Sequence, residues 1–364
     1  MSPVRDLPPH PSPYDIGAYD FDLPSERIAQ EPLARRDASR LLVLDRATGA
    51  LSHRAFADLP ELLRPGDLLV TNRSRVFPAR LLGRRPGGGE AEILLVRRLE
   101  PDLWDAMVRP GRRLRPGAVV DVGPGLGVRI ESAETGASAA HARPTPLRRV
   151  RLLLDGLDAE TAIERHGHVP LPPYIRRADA PADRDRYQTV YAREKGSVAA
   201  PTAGLHFSPA LLERLSERGV ERAELVLHVG PGTFRPVEVQ DLREHRVDPE
   251  RYAIPESTAA AVDRARAEGR RVVAVGTTAT RALESALGPG GSLQSGQGET
   301  SLVIVPGFHF RAVNALVTNF HMPRSSLLLL VSAFGGRERV LGAYAEAVRQ
   351  RYRFYSYGDA MLLA

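Results

Sequence analysis

Three histidines of this chain stand in short polar loops that follow small or apolar residues. His206 belongs to the run Ser197-Val198-Ala199-Ala200-Pro201-Thr202-Ala203-Gly204-Leu205-His206-Phe207. His228 ends a strand-like run and opens His228-Val229-Gly230-Pro231-Gly232-Thr233-Phe234. His321 sits in Val317-Thr318-Asn319-Phe320-His321-Met322-Pro323. A neutral imidazole takes up a proton near physiological pH, so each is a candidate general base. Gly204, Gly230 and Gly232 would let backbone N–H groups approach a ligand. Each loop also has a purely structural reading. Ser208-Pro209 is an N-cap with proline at the first helical position, so the His206 loop could simply lead into a helix. His228 could be a satisfied core histidine.

A fourth loop carries hydroxyls and a cation. Val273-Ala274-Val275 runs into Gly276-Thr277-Thr278-Ala279-Thr280-Arg281, a strand–turn–helix pattern. Free N–H groups and the Thr277 and Thr278 hydroxyls at a helix start suit an anion or a hydroxyl, and Arg281 suits a carboxylate or phosphate. An ordinary threonine cap is the plainer alternative. No His-Glu-x-x-His or tight His/Asp spacing suggests a metal. The segment Tyr352-Arg353-Phe354-Tyr355-Ser356-Tyr357 could stack bases or pack on a sheet.

The elements that must hold these loops read as two kinds of structure. Leu41–Leu44 and Leu51–Phe56 are strand-like, and from Arg64 to Val150 short strands alternate with Gly/Pro turns, the pattern of a small barrel. Within that stretch lie Asp67–Asn72, Val76–Leu82, Ala91–Val96, Trp104–Val108, Val119–Val122 and Val128–Glu131, and Val150–Leu154 closes it. Residues 133–146 read as a loop. Beyond residue 157 strands alternate with helices, which indicates a layered α/β domain. Helices are expected over Pro209–Arg218, Glu256–Glu268, Thr277–Leu287, Ser325–Phe334 and Arg337–Tyr352. Strands are expected over Arg222–His228, Arg271–Val275, Leu302–Val305 and Ala315–Thr318, with residues 288–298 a flexible loop. The expected architecture is α/β/α layers with an inserted β-barrel. Residues 1–18 form a disordered extension, 19–62 and 157–364 a discontinuous α/β domain, and 63–156 the barrel.

Composition narrows the chemistry. The 364 residues include no cysteine, which excludes disulfides, thiolate zinc sites and cysteine-ligated iron–sulfur clusters. The net charge of +6 fits a polyanionic partner, although Lys195 is the only lysine among 50 basic residues and an arginine bias explains much of it. The longest aliphatic run, Leu327–Val331, is too short to span a bilayer, and the proline-rich start lacks the apolar core of a signal peptide. The expected location is the cytoplasm, with no membrane.

Taken together, these stretches resemble the S-adenosylmethionine:tRNA ribosyltransferase-isomerases of queuosine biosynthesis. The resemblance rests on Phe21-Asp22-Leu23-Pro24, Ser39-Arg40-Leu41-Leu42, Gly66–Val70, Arg75–Leu81, Tyr187–Tyr191, the four loops above, Pro306-Gly307-Phe308 and Tyr357–Met361. It runs from about residue 20 onward. Two stretches depart from the family pattern. Asn72-Arg73-Ser74-Arg75 replaces Asn-Asp-Thr-Arg, and His245-Arg246-Val247-Asp248 replaces His-x-Met-His.

The resemblance implies a layered α/β domain with an inserted barrel. It also implies a tRNA-modifying transferase-isomerase that moves the ribosyl group of S-adenosylmethionine onto 7-aminomethyl-7-deazaguanine at the wobble position. Epoxyqueuosine would form, with adenine and methionine released. S-adenosylmethionine is then a substrate, no metal or further cofactor is needed, and the partner is the anticodon loop of tRNA. His206, His228 or His321 would take the C5′ proton acidified by the sulfonium. Thr202, Thr233 and Thr277 would meet ribose hydroxyls, Arg281 the methionine carboxylate or an RNA phosphate, and Phe207 or Phe320 the adenine or sulfonium. Gly204, Gly230, Gly232, Thr278 and Asn319 complete the expected substrate site. Arg97, Arg98, Arg112 and Arg113 of the barrel could hold phosphates. The chain is expected to be a monomer or weak oligomer. An S-adenosylmethionine-dependent RNA methyltransferase and a non-catalytic tRNA-binding protein are the competing readings.

Overall fold

The computed structural model describes residues 12–132 and 147–364. In chain order, β1 (Arg40–Leu44) and β2 (Leu51–Ala55) form a hairpin, α1 (Leu59–Leu62) follows, and β3 (Leu68–Asn72) leads to the short β4 (Ser74–Val76). Six strands then close a barrel: β5 (Arg80–Arg84), β6 (Glu90–Arg98), β7 (Leu103–Arg109), β8 (Val119–Gly123), β9 (Leu126–Ile130) and β10 (Arg148–Leu154), ordered β10-β7-β6-β5-β8-β9. After the barrel come α2 (Ala159–His166), α3 (Asp183–Arg186), β11 (Glu194–Ser197) and α4 (Pro209–Glu217). The remaining elements are β12 (Glu221–Leu227), β13 (Glu250–Ile254), α5 (Glu256–Ala267), β14 (Val272–Val275), α6 (Gly276–Ser285), β15 (Gly296–Thr300), β16 (Ala315–Asn319), α7 (Ser326–Gly335), α8 (Arg337–Arg349) and β17 (Ala360–Leu363).

Nine strands make one sheet in the order β15-β13-β12-β3-β14-β16-β17-β1-β2. Its centre is parallel, with β3 between β12 and β14, and β14 beside β16. Successive residues of these strands point to opposite faces. Leu69, Val273, Val275 and Val317 pack one way, against Phe56, Leu59 and the α4 side chains Leu211 and Leu215. Leu68, Val70, Val272 and Ala274 pack the other way, against Val262, Leu283, Leu328 and Val340 of α5 to α8. Both faces are therefore covered, which is the layered α/β/α arrangement with an inserted barrel. The barrel has its own core of alternating residues such as Leu81, Ile93, Ala106, Val128 and Val150, stoppered by Ala162 and Ile163 of α2. β4 and β11 pair in parallel where the chain enters and leaves the barrel.

Several elements differ from the sequence expectation, each for a physical reason. The run Leu68–Asn72, expected in the barrel, lies at the centre of the large sheet. All five of its residues are buried, and Leu68-Leu69-Val70 runs apolar without alternation, as suits a strand covered on both faces. Val76–Leu82 is not one strand: Pro78 separates β4 from β5. Leu302–Val305 pairs with no strand, while the Gly-rich stretch expected as a loop supplies β15, the sheet edge, paired to β13 over five residues. Apolarity at 302–304 serves a cavity wall instead. Order begins inside the extension expected to be disordered through residue 18. Asp15 bridges to Asp241, and Ile16 and Tyr19 are buried. Residues 1–11 and the expected loop 133–146 lie outside the described residues. Among those described, no helix is long and apolar enough to cross a membrane.

Candidate active site

The parallel frame brings the four polar loops together. β12, β14 and β16 run in one direction, so the loops after Leu227, Val275 and Asn319 emerge at the same sheet edge, where ligands of α/β folds bind. The fourth loop is bonded onto the first of these. Val198 and Ala199 N–H groups donate to the Val229 carbonyl (3.0 and 3.2 Å), and the Val229 N–H donates to Ser197 Oγ (3.0 Å).

A two-chambered cleft lies at this edge. The larger chamber is about 390 Å³ and the smaller about 60 Å³. Val229, Thr233 and Leu327 line both and mark their junction. The barrel contributes Val96, Arg97 and Leu147 to the wall of the larger chamber. Gly230 also lines it and has open space where a Cβ would stand, so backbone can approach a ligand there. Ala200, Thr202, Thr277, Thr278, Asn319 and His321 are among the residues of the smaller one.

The three histidines face different surroundings. His206 is buried and fully engaged: Nδ1 lies 2.7 Å from Ser39 Oγ, Nε2 lies 3.0 Å from Asn319 Nδ2, and the ring stacks on Phe56. Asn319 Nδ2 also donates to the Tyr355 carbonyl (3.0 Å), which fixes the amide orientation. The proton of His206 must then sit on Nδ1, with the Nε2 lone pair already taken. His206, expected as a candidate base, instead orients Asn319. His321 is buried in the smaller chamber, its N–H donating to Tyr344 Oη (3.1 Å) and its Nδ1 only 3.5 Å from that oxygen. His228 lines the larger chamber, and no hydrogen bond holds either ring nitrogen among the described residues; its Nδ1 is buried. The ring packs on Gly196, whose added Cβ would stand 2.8 Å from Cε1. Burial, and then Arg251, pull its pKa down, so the ring is neutral at pH 7.

Burial lowers His206 and His321 from the ordinary 6.5 to about 3, helped at His206 by Arg353 and Arg36. Between those values the unfolded chain holds protons that the folded one lacks. Stability is therefore full above pH 6.5 and falls as the pH drops toward 3, by about 1.4 kcal/mol per pH unit for each histidine. Denaturant midpoints measured from pH 7 to 5 should fall steeply, and less so for His206→Gln. Equal slopes for the two proteins would count against this assignment.

The larger chamber is shaped by a buried carboxylate. Glu250 Oε1 accepts from the Gly230 N–H (3.0 Å) and Thr233 Oγ1 (3.3 Å), while Oε2 pairs with Arg281 Nη1. Arg281 also donates to the Leu302 carbonyl (2.9 Å). The carboxylate expected at Arg281 is thus supplied by the protein itself. No motif announced Glu250; its only signal was Arg281, a cation 31 residues later that calls for an anionic partner.

Of the other expected residues, Phe207 and Gly204 line neither chamber, while Phe320 is among the residues of the smaller one and Gly232 among those of the larger. Phe207 is a core side chain against Phe56 and Tyr191, and Phe320 is packed with Tyr344, Tyr352 and Phe354, so neither ring is free to stack a ligand. Gly204 lacks a Cβ because the Tyr191 hydroxyl would stand 2.2 Å from it. Gly232 makes room in the same way for Asp248. Sequence reasoning missed Tyr174, whose ring lies 4.3 Å from that of Tyr355 in the aromatic segment 352–357 beside the smaller chamber, since an aromatic residue outside a motif looks like core. Lys195 pairs with Glu160 and Glu164, and Arg73 with Glu194 (3.4 Å) and Glu224 (3.7 Å). Of the barrel arginines, Arg97 is held by Asp105 (2.6 Å), Arg98 lies over Trp104 (6.0 Å), and Arg112 and Arg113 are exposed. Among the described residues, no cluster of three or more acidic or histidine side chains could hold a metal.

Comparison with known proteins adds the family. A family model described as "Queuosine biosynthesis protein" matches residues 16–363. The chain is 54% identical over 355 residues to an S-adenosylmethionine:tRNA ribosyltransferase-isomerase of Thermus thermophilus, and 52% identical over 349 residues to that of Moorella thermoacetica. In each case the match covers 96% of this chain and 99% of the relative. A crystal structure of S-adenosylmethionine tRNA ribosyltransferase from Thermotoga maritima is similar with a TM-score of 0.54 and 38% identity, over 95% of this chain and 100% of that one.

Proposed function

From the premise that this chain belongs to the S-adenosylmethionine:tRNA ribosyltransferase-isomerases of queuosine biosynthesis, and is a tRNA-modifying enzyme, we propose that it transfers and isomerises the ribosyl group of S-adenosylmethionine onto 7-aminomethyl-7-deazaguanine at the wobble position. The product is epoxyqueuosine in tRNA, with adenine and methionine released.

The observation that carries this reading is the two-chambered cleft with a neutral, unbonded His228 near the junction. A single water takes up about 10–15 Å³, so the larger chamber has room for about thirty non-hydrogen atoms, on the scale of a nucleoside beside a purine-like base. The base would have to leave the stack of the anticodon loop to enter it. His228 takes the C5′ proton next to the sulfonium. Electron flow from C5′ breaks the ribose C4′–O4′ bond, forms the C1′=O4′ carbonyl and expels adenine from C1′, and adenine leaves with the proton. The aminomethyl nitrogen bonds to C4′ and loses a proton, C5′ bonds to C1′ to close the carbocycle, and the resulting O4′ alkoxide closes the epoxide on C5′, breaking the carbon–sulfur bond to release methionine. The amine attacks in its neutral form, so its ammonium proton leaves before the step. Glu250 holds Gly230 and Thr233 in place at the chamber wall.

The test is incubation with S-adenosylmethionine and tRNA carrying the aminomethyl-deazaguanine. Released adenine and methionine, with a ribosyl-derived mass gain on the nucleoside, are expected. S-adenosylhomocysteine with a methylated nucleoside would replace this reading by a methyltransferase. Binding of tRNA with neither product would replace it by a non-catalytic protein.

A further inference from the structure

The smaller chamber contains buried polar atoms that the protein leaves unpaired. Asn319 is 2% exposed, and with Nδ2 committed to Tyr355 and His206 its Oδ1 is an acceptor with no protein donor. Thr278 is 8% exposed, and its Oγ1 has no partner either. Both residues line the chamber. Buried polar atoms are seldom left unsatisfied, so a bound group is expected to meet these. Thr278 lies in the first turn of the ten-residue α6, whose start carries no capping side chain. That turn presents N–H groups and the positive end of the helix dipole. Gly276 opens it at φ +90°, a conformation that favours glycine.

The chamber therefore offers donors for an anion on one side and an acceptor for a cation on the other. A carboxylate and an ammonium two bonds apart have that polarity. Arg281 does not compete for the carboxylate, because Glu250 and Leu302 already occupy it. Size agrees: about 60 Å³ holds about four to six non-hydrogen atoms, the scale of an amino-acid head. The stacked Tyr174 and Tyr355 rings add an aromatic wall suited to a nearby cation such as a sulfonium.

We infer that the smaller chamber seats the α-amino-acid head of S-adenosylmethionine, with the carboxylate on the α6 start and Thr278 and the ammonium on Asn319 Oδ1. The inference rests on the reading that the cleft takes S-adenosylmethionine. It implies that free methionine, one of the proposed products, competes for the same seat.

Calorimetric titration of the full chain tests it, using S-adenosylmethionine, L-methionine and 3-methylthiopropylamine, which lacks the carboxylate. Millimolar methionine should displace S-adenosylmethionine, and the amine should be at least about tenfold weaker. Thr278→Val should weaken methionine and S-adenosylmethionine alike, by about tenfold, and Thr278→Ser should restore both. Equal binding of methionine and the amine overturns the inference. So does a failure of methionine to displace bound S-adenosylmethionine, or unchanged methionine affinity in Thr278→Val. In these cases the cleft still binds S-adenosylmethionine and only the head-group seat is lost. Absence of S-adenosylmethionine binding to the wild type would instead remove the parent reading, and the inference with it.

Discussion

Replacing His228 by alanine should lower turnover by about 10²- to 10⁴-fold, the range spanned by a positioned general base, with little change in the affinity for S-adenosylmethionine. Both ring nitrogens of His206 are bonded, so its lone pair is not available. His321 lies in the smaller chamber, away from the nucleoside-sized space. Only His228 combines an unbonded ring with a place on the larger chamber next to Val229, where the two chambers meet. Gly196→Ala should move activity in the same direction without touching the imidazole itself. Its Cβ would stand 2.8 Å from Cε1 and 2.9 Å from Nδ1 of His228, and φ at residue 196 is +138°. Adenine release at saturating S-adenosylmethionine and tRNA reads both variants. Turnover of His228→Ala within tenfold of wild type would rule it out as the base.

Glu250→Ala should be damaging in a different way. The Arg281–Glu250 pair is buried, and removing one partner leaves a guanidinium with only carbonyl ligands. Breaking such a pair costs about 3–5 kcal/mol, which for a chain of this length is about 4–7 °C in melting temperature. The loop also loses its tie, because the Gly230 N–H and the Thr233 hydroxyl share that carboxylate. The companion Glu250→Met/Arg281→Met separates the two effects. An apolar replacement of both partners should recover much of the stability. It should not recover substrate affinity if the loop needs the carboxylate. Recovery of both together would mean that Glu250 acts on the fold alone.

The sequence made the ends of strands legible and hid what holds the loops. The four polar loops were found from their own residues, because small residues, hydroxyls and histidine after an apolar run are unusual in core. Their convergence required the parallel pairing of β3 with β12 and β14, which local periodicity does not encode. Asp67–Asn72 reads as one more barrel strand because it stands directly before the short strands of the barrel, and only its burial on both faces in the fold sets it apart. Phe207 and Phe320 were misread for a related reason. An aromatic beside a histidine in a loop has no sequence mark of whether it faces ligand or core, and both face core. Ser39 and Glu250 act on the site through partners 167 and 31 residues away, Nδ1 of His206 and Arg281.

The barrel and the sheet are closed by pairings of very different reach. Every strand neighbour in the barrel lies within residues 80–154, whereas β1 joins β17 across more than three hundred positions. Nearby contacts cost less chain entropy to form, so the barrel is the faster-folding unit and the sheet the slower one. The chain has a single tryptophan, Trp104, and it lies in β7 of the barrel. Tryptophan emission during refolding therefore clocks the barrel, while the cleft waits on the later joining of residues 40–44 to residues 360–363.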